Sequence, residues 1–452
     1  MRNFSYRLLA GLTVTSIAAT AAGAQLLGGG GIGGVQLPPV DLRAGEAPVV
    51  GPVLGPVLNQ RINSGQAQEV IRPTLNSVAG LPDAIAEAGP ATLSEIRKMR
   101  LRELIRANRR ELESDGRGQP VRRGVLIVIN PDPSSLQQAL RAGFRIAADD
   151  RIEELGMRSV TLAVPRGDSA PDALRKLAKV APALQADFDH VYEPAGGSLS
   201  PLAAAALASS SGSASGRRIG MIDGGVASHP SMSGAGIEQR GFAGKAAATG
   251  HGTAVASLIV GKQGPFNGAA QGANLLVADV YGGNQAAGSA STIVKALAWL
   301  SAKGPAVINI SLVGPSNKMV GRAIEIVRQR GQTVVAAVGN DGPAAPPQYP
   351  ASYPGVIAVT GVDARGRALA EAGRAGHLDF AAPGADMAAA SPGSGYAKVR
   401  GTSFAAPLVT SRIAVTGSAR ALVAEARPGR GKVGRGVVCS TCRTDPKAVR
   451  VK

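Results

Sequence analysis

Aromatic residues are scarce: seven Phe, six Tyr and one Trp make up 3% of 452 positions. That leaves few flat side chains for the stacking platforms that hold single-stranded nucleic acid, so a nucleic-acid-binding role ranks last despite a net charge of +18. Cysteine is nearly absent, with only Cys439 and Cys442, which excludes a small disulfide-stapled fold. Runs of the ~20 apolar residues needed to span a bilayer are lacking too. Acidic residues are few, 31 against 49 Lys and Arg, and most of the positive surplus falls beyond Arg217. What is plentiful is Gly (60) and Pro (30), beside 44% hydrophobic residues. The chain therefore combines irregular stretches with enough apolar material for a core, and at roughly 150 residues per domain it has room for two or three folded units.

Residues 1–24 begin with Arg2 and Arg7, continue as an apolar run from Leu8 to Ala22, and end in Ala22-Gly23-Ala24. A charged start, a short greasy middle and small residues at the end predict a secretory signal peptide, hence an exported protein, periplasmic or secreted. Residues 25–120 hold a low-complexity Gly/Pro/Val region and then a basic helix, opened by the capping box Thr92-Leu93-Ser94-Glu95 and predicted to run to about Glu113.

From residue 121 to 196 strand and helix signals alternate. Strands are predicted at Val125 to Asn130, Arg158 to Val164 and Asp187 to Tyr192, with helices at Pro133 to Ala142 and Asp172 to Val180. This is a compact α+β unit. Residues 197–216 are mostly Ala, Ser and Gly, and the stretch Ala203 to Gly216 reads as a cut site between two folded units. Residues 217–430 then alternate Val/Ile/Ala-rich strands (Ile219 to Ile222, Leu275 to Val280, Ala306 to Ile310, Thr333 to Val338, Val356 to Thr360) with helices (His251 to Val260, Ser289 to Ala302, Ser316 to Arg330). Such alternation predicts an α/β fold, a mostly parallel sheet covered on both faces. Chemistry in such sheets collects where strands end and helices begin.

Three positions of that kind carry an acid, a base and a nucleophile. Asp223 ends a buried strand and is followed by Gly224-Gly225. His251 lies in Gly250-His251-Gly252-Thr253, at the first turn of an apolar helix. Ser403 lies in Gly401-Thr402-Ser403-Phe404-Ala405-Ala406-Pro407, where a glycine turn enters a helix. A serine hydroxyl becomes a competent nucleophile when an imidazole takes its proton, and the imidazole needs a carboxylate to fix its tautomer. Asn340, after the strand ending Val338-Gly339, supplies an amide that can donate to a developing oxyanion beside the Ser403 N–H.

With these segments in this order the chain resembles the subtilisin-like (S8) serine peptidases. His229-Pro230, Asn309-Ile310-Ser311-Leu312 and Tyr349-Pro350-Ala351-Ser352-Tyr353-Pro354 also look like family segments, and the likeness runs from about Arg217 to Thr410. The resemblance implies a three-layer subtilisin-like domain preceded by a small α+β, ferredoxin-like propeptide domain that inhibits intramolecularly. It implies peptide-bond hydrolysis by Asp223, His251 and Ser403, an oxyanion hole of Asn340 and Ser403, and substrate-binding segments Ser311-Leu312-Val313-Gly314 and Ala337-Val338-Gly339, with Gln348 at the floor of the specificity pocket. Val313 and Gln348 stand where the family often has smaller residues. A shallow pocket favouring Ala or Ser follows. Gly224 replaces the usual hydroxyl residue after the catalytic Asp.

His190, His229 and His377 read as structural or surface residues. Calcium is common in the family, but no Asp-rich loop appears here; no cofactor and no metal site are assigned. Residues 431–452 read as a solvated basic tail, with contact to an anionic surface as the second reading. Cys439 and Cys442 could close a disulfide, act as a redox pair or supply half a metal site; with no second Cys pair and no nearby His to complete four zinc ligands, a disulfide or free thiols is the expectation. The expected partners are protein or peptide substrates and the chain's own propeptide, not nucleic acid, with a monomer as the oligomeric state. The competing functional class is an inactive scaffold that binds peptides or an anionic surface.

Overall fold

A computed structural model describes residues 90–196 and 212–449. The predicted signal peptide, the low-complexity region and most of the Ala/Ser/Gly stretch lie outside the described residues.

Helix α1 (Pro90–Ala107) comes first. It is shorter than the sequence suggested: Asn108 donates from its side chain to the Leu104 carbonyl, and the chain turns into strand β1 (Leu112–Ser114), whose Leu112 is fully buried. The small sheet is completed by β2 (Pro120–Ile129), α2 (Pro133–Arg141), β3 (Arg145–Ile152), β4 (Met157–Ala163), α3 (Ala170–Val180) and β5 (Gln185–His190). Strand β2 pairs antiparallel with both β4 and β5, and β3 pairs antiparallel with the outer side of β4. That is the split β-α-β-β-α-β arrangement of ferredoxin-like folds.

Alternation along β2 gives each face of this sheet its own partner. Leu126 and Val128 pack with Leu136, Ala139 and Leu177 of the unit's own helices. Ile127 and Ile129 face the other way, into a core shared with helices of the second unit. Strand β5 adds polar contacts there, with Asp187 accepting from the Lys318 N–H and Asp189 from the Ser291 N–H, both at helix starts of the second unit. Carboxylates placed on the positive end of a helix are favourable.

After β6 (Glu193–Pro194) come β7 (Arg218–Asp223), β8 (Gly236–Gly241), α4 (Gly250–Val260), β9 (Asn274–Asp279), α5 (Ala290–Lys303), β10 (Val307–Ile310), β11 (Leu312–Val313), α6 (Lys318–Gln329), β12 (Thr333–Ala337), β13 (Ile357–Val362), β14 (Phe380–Pro383), β15 (Met387–Ala390), β16 (Tyr396–Val399) and α7 (Thr402–Thr416). Seven of these strands form one parallel sheet in the order β14-β13-β12-β10-β7-β9-β8. One face is covered by α4 and α7 and the other by α5 and α6, giving three layers with a separate apolar cluster on each side. Glycines end α5 and α7 in the left-handed conformation, Gly304 at φ 69° and Gly417 at φ 86°.

The basic C-terminal stretch is not a solvated tail. Val437 bridges to Ala381 and Arg427, and Val438 and Val449 are buried. Cys439 and Cys442 are joined in a disulfide within this packed segment. Among the described residues no helix is long and apolar enough to cross a membrane, and no group of three or more His, Cys, Asp or Glu could hold a metal ion.

Candidate active site

The central strands end together, and their ends set the acid and the base. Asp223 closes β7, where its Oδ1 accepts from the Gly224 N–H at 2.7 Å and lies 2.9 Å from Nδ1 of His251. Helix α4 starts because Thr249 caps it, accepting from the Gly252 N–H at 3.0 Å. The cap puts His251 in the first turn, facing the strand end. Gly224 is explained by the same threonine: a Cβ there would overlap the Thr249 side chain. The second carboxylate oxygen of Asp223 is buried with no hydrogen-bond partner among the described residues. Nearby Tyr281 is held neutral, its pKa raised well above the usual phenol value by burial and by the Asp223 carboxylate.

Nε2 of His251 lies 3.0 Å from Oγ of Ser403. Ser403 sits in the first turn of α7, behind Gly401 at φ 144°, a backbone setting that L side chains rarely adopt. Acid, base and hydroxyl thus form one hydrogen-bonded line from residues 180 positions apart in sequence.

Asn340 follows β12, held by its own partners. Its Oδ1 accepts from the Thr402 N–H at 2.9 Å, while the Thr402 hydroxyl accepts from the Gly339 N–H at 3.1 Å. The amide nitrogen of Asn340 is thereby turned into the cleft. Beneath Ser403, the Ser311 hydroxyl donates to the Ser403 carbonyl at 3.0 Å and accepts from Asn309, which accepts from Thr410. Thr249 and Thr410 do not stand out in the sequence as parts of the site, and Thr402 and Asn309 stand there only as members of the segments around Ser403 and Ser311. Their roles are to orient other residues, and short polar side chains leave no distinctive local pattern.

The predicted substrate-binding segments divide. Leu312 and Val313 form an edge strand in the cleft, while the side chains of Ala337 and Val338 are buried in the two cores on either side of the sheet. A Cβ on Gly339 would lie 3.2 Å from Val313 Cγ1 and 3.4 Å from Gln348 Cγ, so both of those side chains pack close against Gly339, and Gln348 is itself buried. Gly314 pairs with Tyr349 and lies against the ring of Tyr192.

The cleft is occupied by the chain's own residues 192–196. Strand β6 pairs antiparallel with β11, Leu312 opposite Pro194 and Val313 opposite Glu193. The Ala195 N–H donates to the Ser311 carbonyl at 2.8 Å, and the Asn340 amide donates to the Ala195 carbonyl. A Cβ on Gly196 would overlap both His251 Nε2 and Ser403 Oγ. The residues seated at Ser403 are therefore 195 and 196, upstream of the Ala203 to Gly216 stretch singled out from composition. Of the other histidines, His190 is buried 3.6 Å from Asp115, His229 is buried between Ser231 and the Gly395 carbonyl, and His377 accompanies Asp379.

Known proteins are similar to this chain. The subtilase family model matches residues 214–427, further than the Thr410 at which the sequence resemblance fades. Subtilisin Savinase of Lederbergia lenta is 34% identical over 206 residues, covering 44% of this chain and 76% of that protein. Thermitase of Thermoactinomyces vulgaris is 31% identical over 204 residues, covering 43% and 72%. Among solved structures, fervidolysin of Fervidobacterium pennivorans, a keratinolytic enzyme related to subtilisin, matches at a TM-score of 0.59 and 20% identity, covering 71% of this chain and 61% of that one. That last similarity is one of fold.

Proposed function

Because the chain belongs to the subtilase family and is a serine endopeptidase, we propose that Ser403, His251 and Asp223 are its catalytic triad, with Asn340 and the Ser403 N–H as oxyanion donors. Ser403 Oγ attacks the substrate carbonyl as its proton passes to His251 Nε2. Asp223, on Nδ1, fixes the tautomer and stabilises the imidazolium. The Asn340 amide meets the oxygen as it becomes negative, and His251 returns the proton to the leaving amine. Water then releases the acyl group from Ser403 by the same route in reverse. The observation that carries this reading is the continuous line Asp223–His251–Ser403 at 2.9 and 3.0 Å, beside an amide already donating to a peptide carbonyl.

The substrates are peptides and proteins. The pocket next to Ser403 takes a small residue, Ala or Ser, a preference supported by Val313 and Gln348 crowding Gly339 and by buried Ala195 in place. The enzyme is made as an exported zymogen and autoprocessed, with the small ferredoxin-like unit as intramolecular inhibitor. Support for that comes from the unit's shared core with α5 and α6 and from its last residues lying in the cleft. A fluorophosphonate probe tests the triad: labelling of the processed protein that disappears in Ser403→Ala is expected. Processed, folded protein that takes no label would make the chain a peptide-binding scaffold instead.

A further inference from the structure

Helix α1 reaches the cleft from outside the ferredoxin-like unit, and two of its arginines converge on one loop. Arg97 Nε donates to Asp341 Oδ2 at 2.8 Å, with both side chains buried, and its Nη2 donates to Gln119 at 2.8 Å. One turn on, Arg100 Nη2 donates to Asp341 Oδ1 at 3.0 Å and to Glu193 Oε2 at 3.2 Å, while its Nε donates to Glu193 Oε1 at 3.2 Å. Leu93, a further turn back, packs against Gly342. Asp341 is the immediate neighbour of Asn340, and Glu193 is two residues before Ala195. One guanidinium therefore joins the loop that carries the oxyanion donor to the segment lying in the cleft.

Without that guanidinium Glu193 would lie beside Asp341 with no cation of its own, Arg97 remaining on Asp341 alone. Glu193 and Asp341 each lie within hydrogen-bond reach of the same Nη2, and like charges so placed repel. With it, Glu193 is held by two donors in a forked contact, a geometry that fixes position as well as charge. Glu193 first, and Asp341 after it, raise the Arg100 pKa above its ordinary value, so the bridge stays charged.

We propose that Arg100 is a positioning residue for the chain's own cleavage between Ala195 and Gly196: it seats Glu193 beside Asp341 so that the Ala195 carbonyl meets Asn340 and Ser403. The inference rests on the triad reading above. In the step, Ser403 Oγ bonds to the Ala195 carbonyl carbon and the Ala195–Gly196 bond breaks. The hydroxyl proton travels through His251 to the Gly196 nitrogen, which leaves as a free amine. Water then splits the ester, leaving a carboxylate on Ala195 and restoring Ser403. Glycine at 196 fits the step, since any Cβ there would strike the two reacting side chains. After the cut Arg100, through Glu193, still holds the segment that ends in the new carboxylate, and loss of α1 exposes Asp341 to whatever side chain next occupies the place of Glu193.

The test uses the full chain, with intact-mass spectrometry following the fragment that begins at Gly196. Arg100→Glu is expected to slow its appearance about tenfold, as for the loss of a charge-assisted pair. Arg100→Glu with Glu193→Arg is expected to recover to within about threefold, because the guanidinium, now carried from position 193, can still meet both Asp341 and the carboxylate moved onto α1. A helix that merely docks would not be rescued by a change at 193. Should Arg100→Glu fold poorly, Glu193→Gln serves as the second probe, slowing the cut while the far-ultraviolet spectrum stays unchanged. Cleavage at wild-type rate in Arg100→Glu, no recovery in the double variant, or a new N-terminus within residues 203–216 would overturn the proposal. Cleavage that persists in Ser403→Ala would instead overturn the triad reading, so the two failures are distinguishable.

Discussion

The small antiparallel sheet and the large parallel one bury both of their faces, but by different means. The large sheet has its own helices on each side, α4 and α7 on one and α5 and α6 on the other. The small sheet owns helices on one face only, and its other face, with Ile127, Ile129, Ile152 and Met157, shares a core with α5 and α6. A sheet complete in itself can offer its rim to a reaction, and here the rim carries Asp223, His251 and Asn340. A sheet that borrows its second layer is tied to the lender, and its chain leaves β5 pointing at that rim. The difference explains why the Asp223–His251–Ser403 line lies wholly in one unit while the other holds what lies in front of it.

The largest effect should come from removing chemistry from the large sheet alone. Ser403→Ala is expected to lower peptidase activity by about 10⁴–10⁶-fold, the scale found when a triad member is lost, with the thermal midpoint nearly unchanged. A comparable fall in stability would mean that the site is not separable from its scaffold. Asn340→Ala should cost about 10²–10³ in kcat with little change in KM. Thr402→Val, which removes the hydroxyl that accepts from Gly339, should cost less.

The pocket sharpens the comparison further. Gln348→Gly should move preference at the residue before the cut from Ala towards Leu or Phe by about tenfold in kcat/KM, the worth of one or two methylenes in an apolar pocket. A peptide library reads this out directly. An unchanged preference for Ala would place the restriction elsewhere.

On the small sheet, two neighbouring residues should separate its two faces. Leu126→Ala should cost about 2–5 kcal/mol of the unit's own stability by leaving a cavity against α2 and α3. Ile127→Asp should leave those helices protected from hydrogen exchange and deprotect α6 instead. Equal patterns in the two variants would break the claim that the faces have different partners.

The smallest effect concerns pH. Burial lowers the His229 pKa below its ordinary value of 6.5, so the folded chain resists a proton that the unfolded chain accepts. Stability should therefore fall as pH drops below about 6.5, by at most about 1.4 kcal/mol per pH unit from this residue. His229→Asn should flatten that limb in urea titrations at pH 7 and pH 5.

Much of this was legible in the sequence, for a physical reason. The central strands β7, β9, β10, β12 and β13 are buried on both faces and read as continuous Val/Ile/Ala runs. The edge strands β3, with sequence RIAADDRI, and β8, with GIEQRG, are largely exposed and carry no such run. The convergence of Asp223, His251 and Ser403 was legible because glycines and small residues must flank side chains held at strand and helix ends. The arginine bridge was not: Arg97 and Arg100 meet Asp341 across more than 240 positions, and a lone charge carries no periodicity. Asp341 even stood beside the residue read as an oxyanion donor. At the C-terminus the excess of Lys and Arg predicts a solvated tail, but the burial of Val437, Val438 and Val449 decides how that segment lies.

Covalent attachment of Ser403 to substrate is the step on which the proposed peptidase chemistry turns. Processed enzyme mixed with an activated ester of an Ala-ending peptide and quenched in acid should show a burst of about one product per active site. Peptide mapping should find the acyl mass on the tryptic fragment that contains Ser403. A linear time course with no adduct on that fragment, from protein that is folded and turning over, would contradict it.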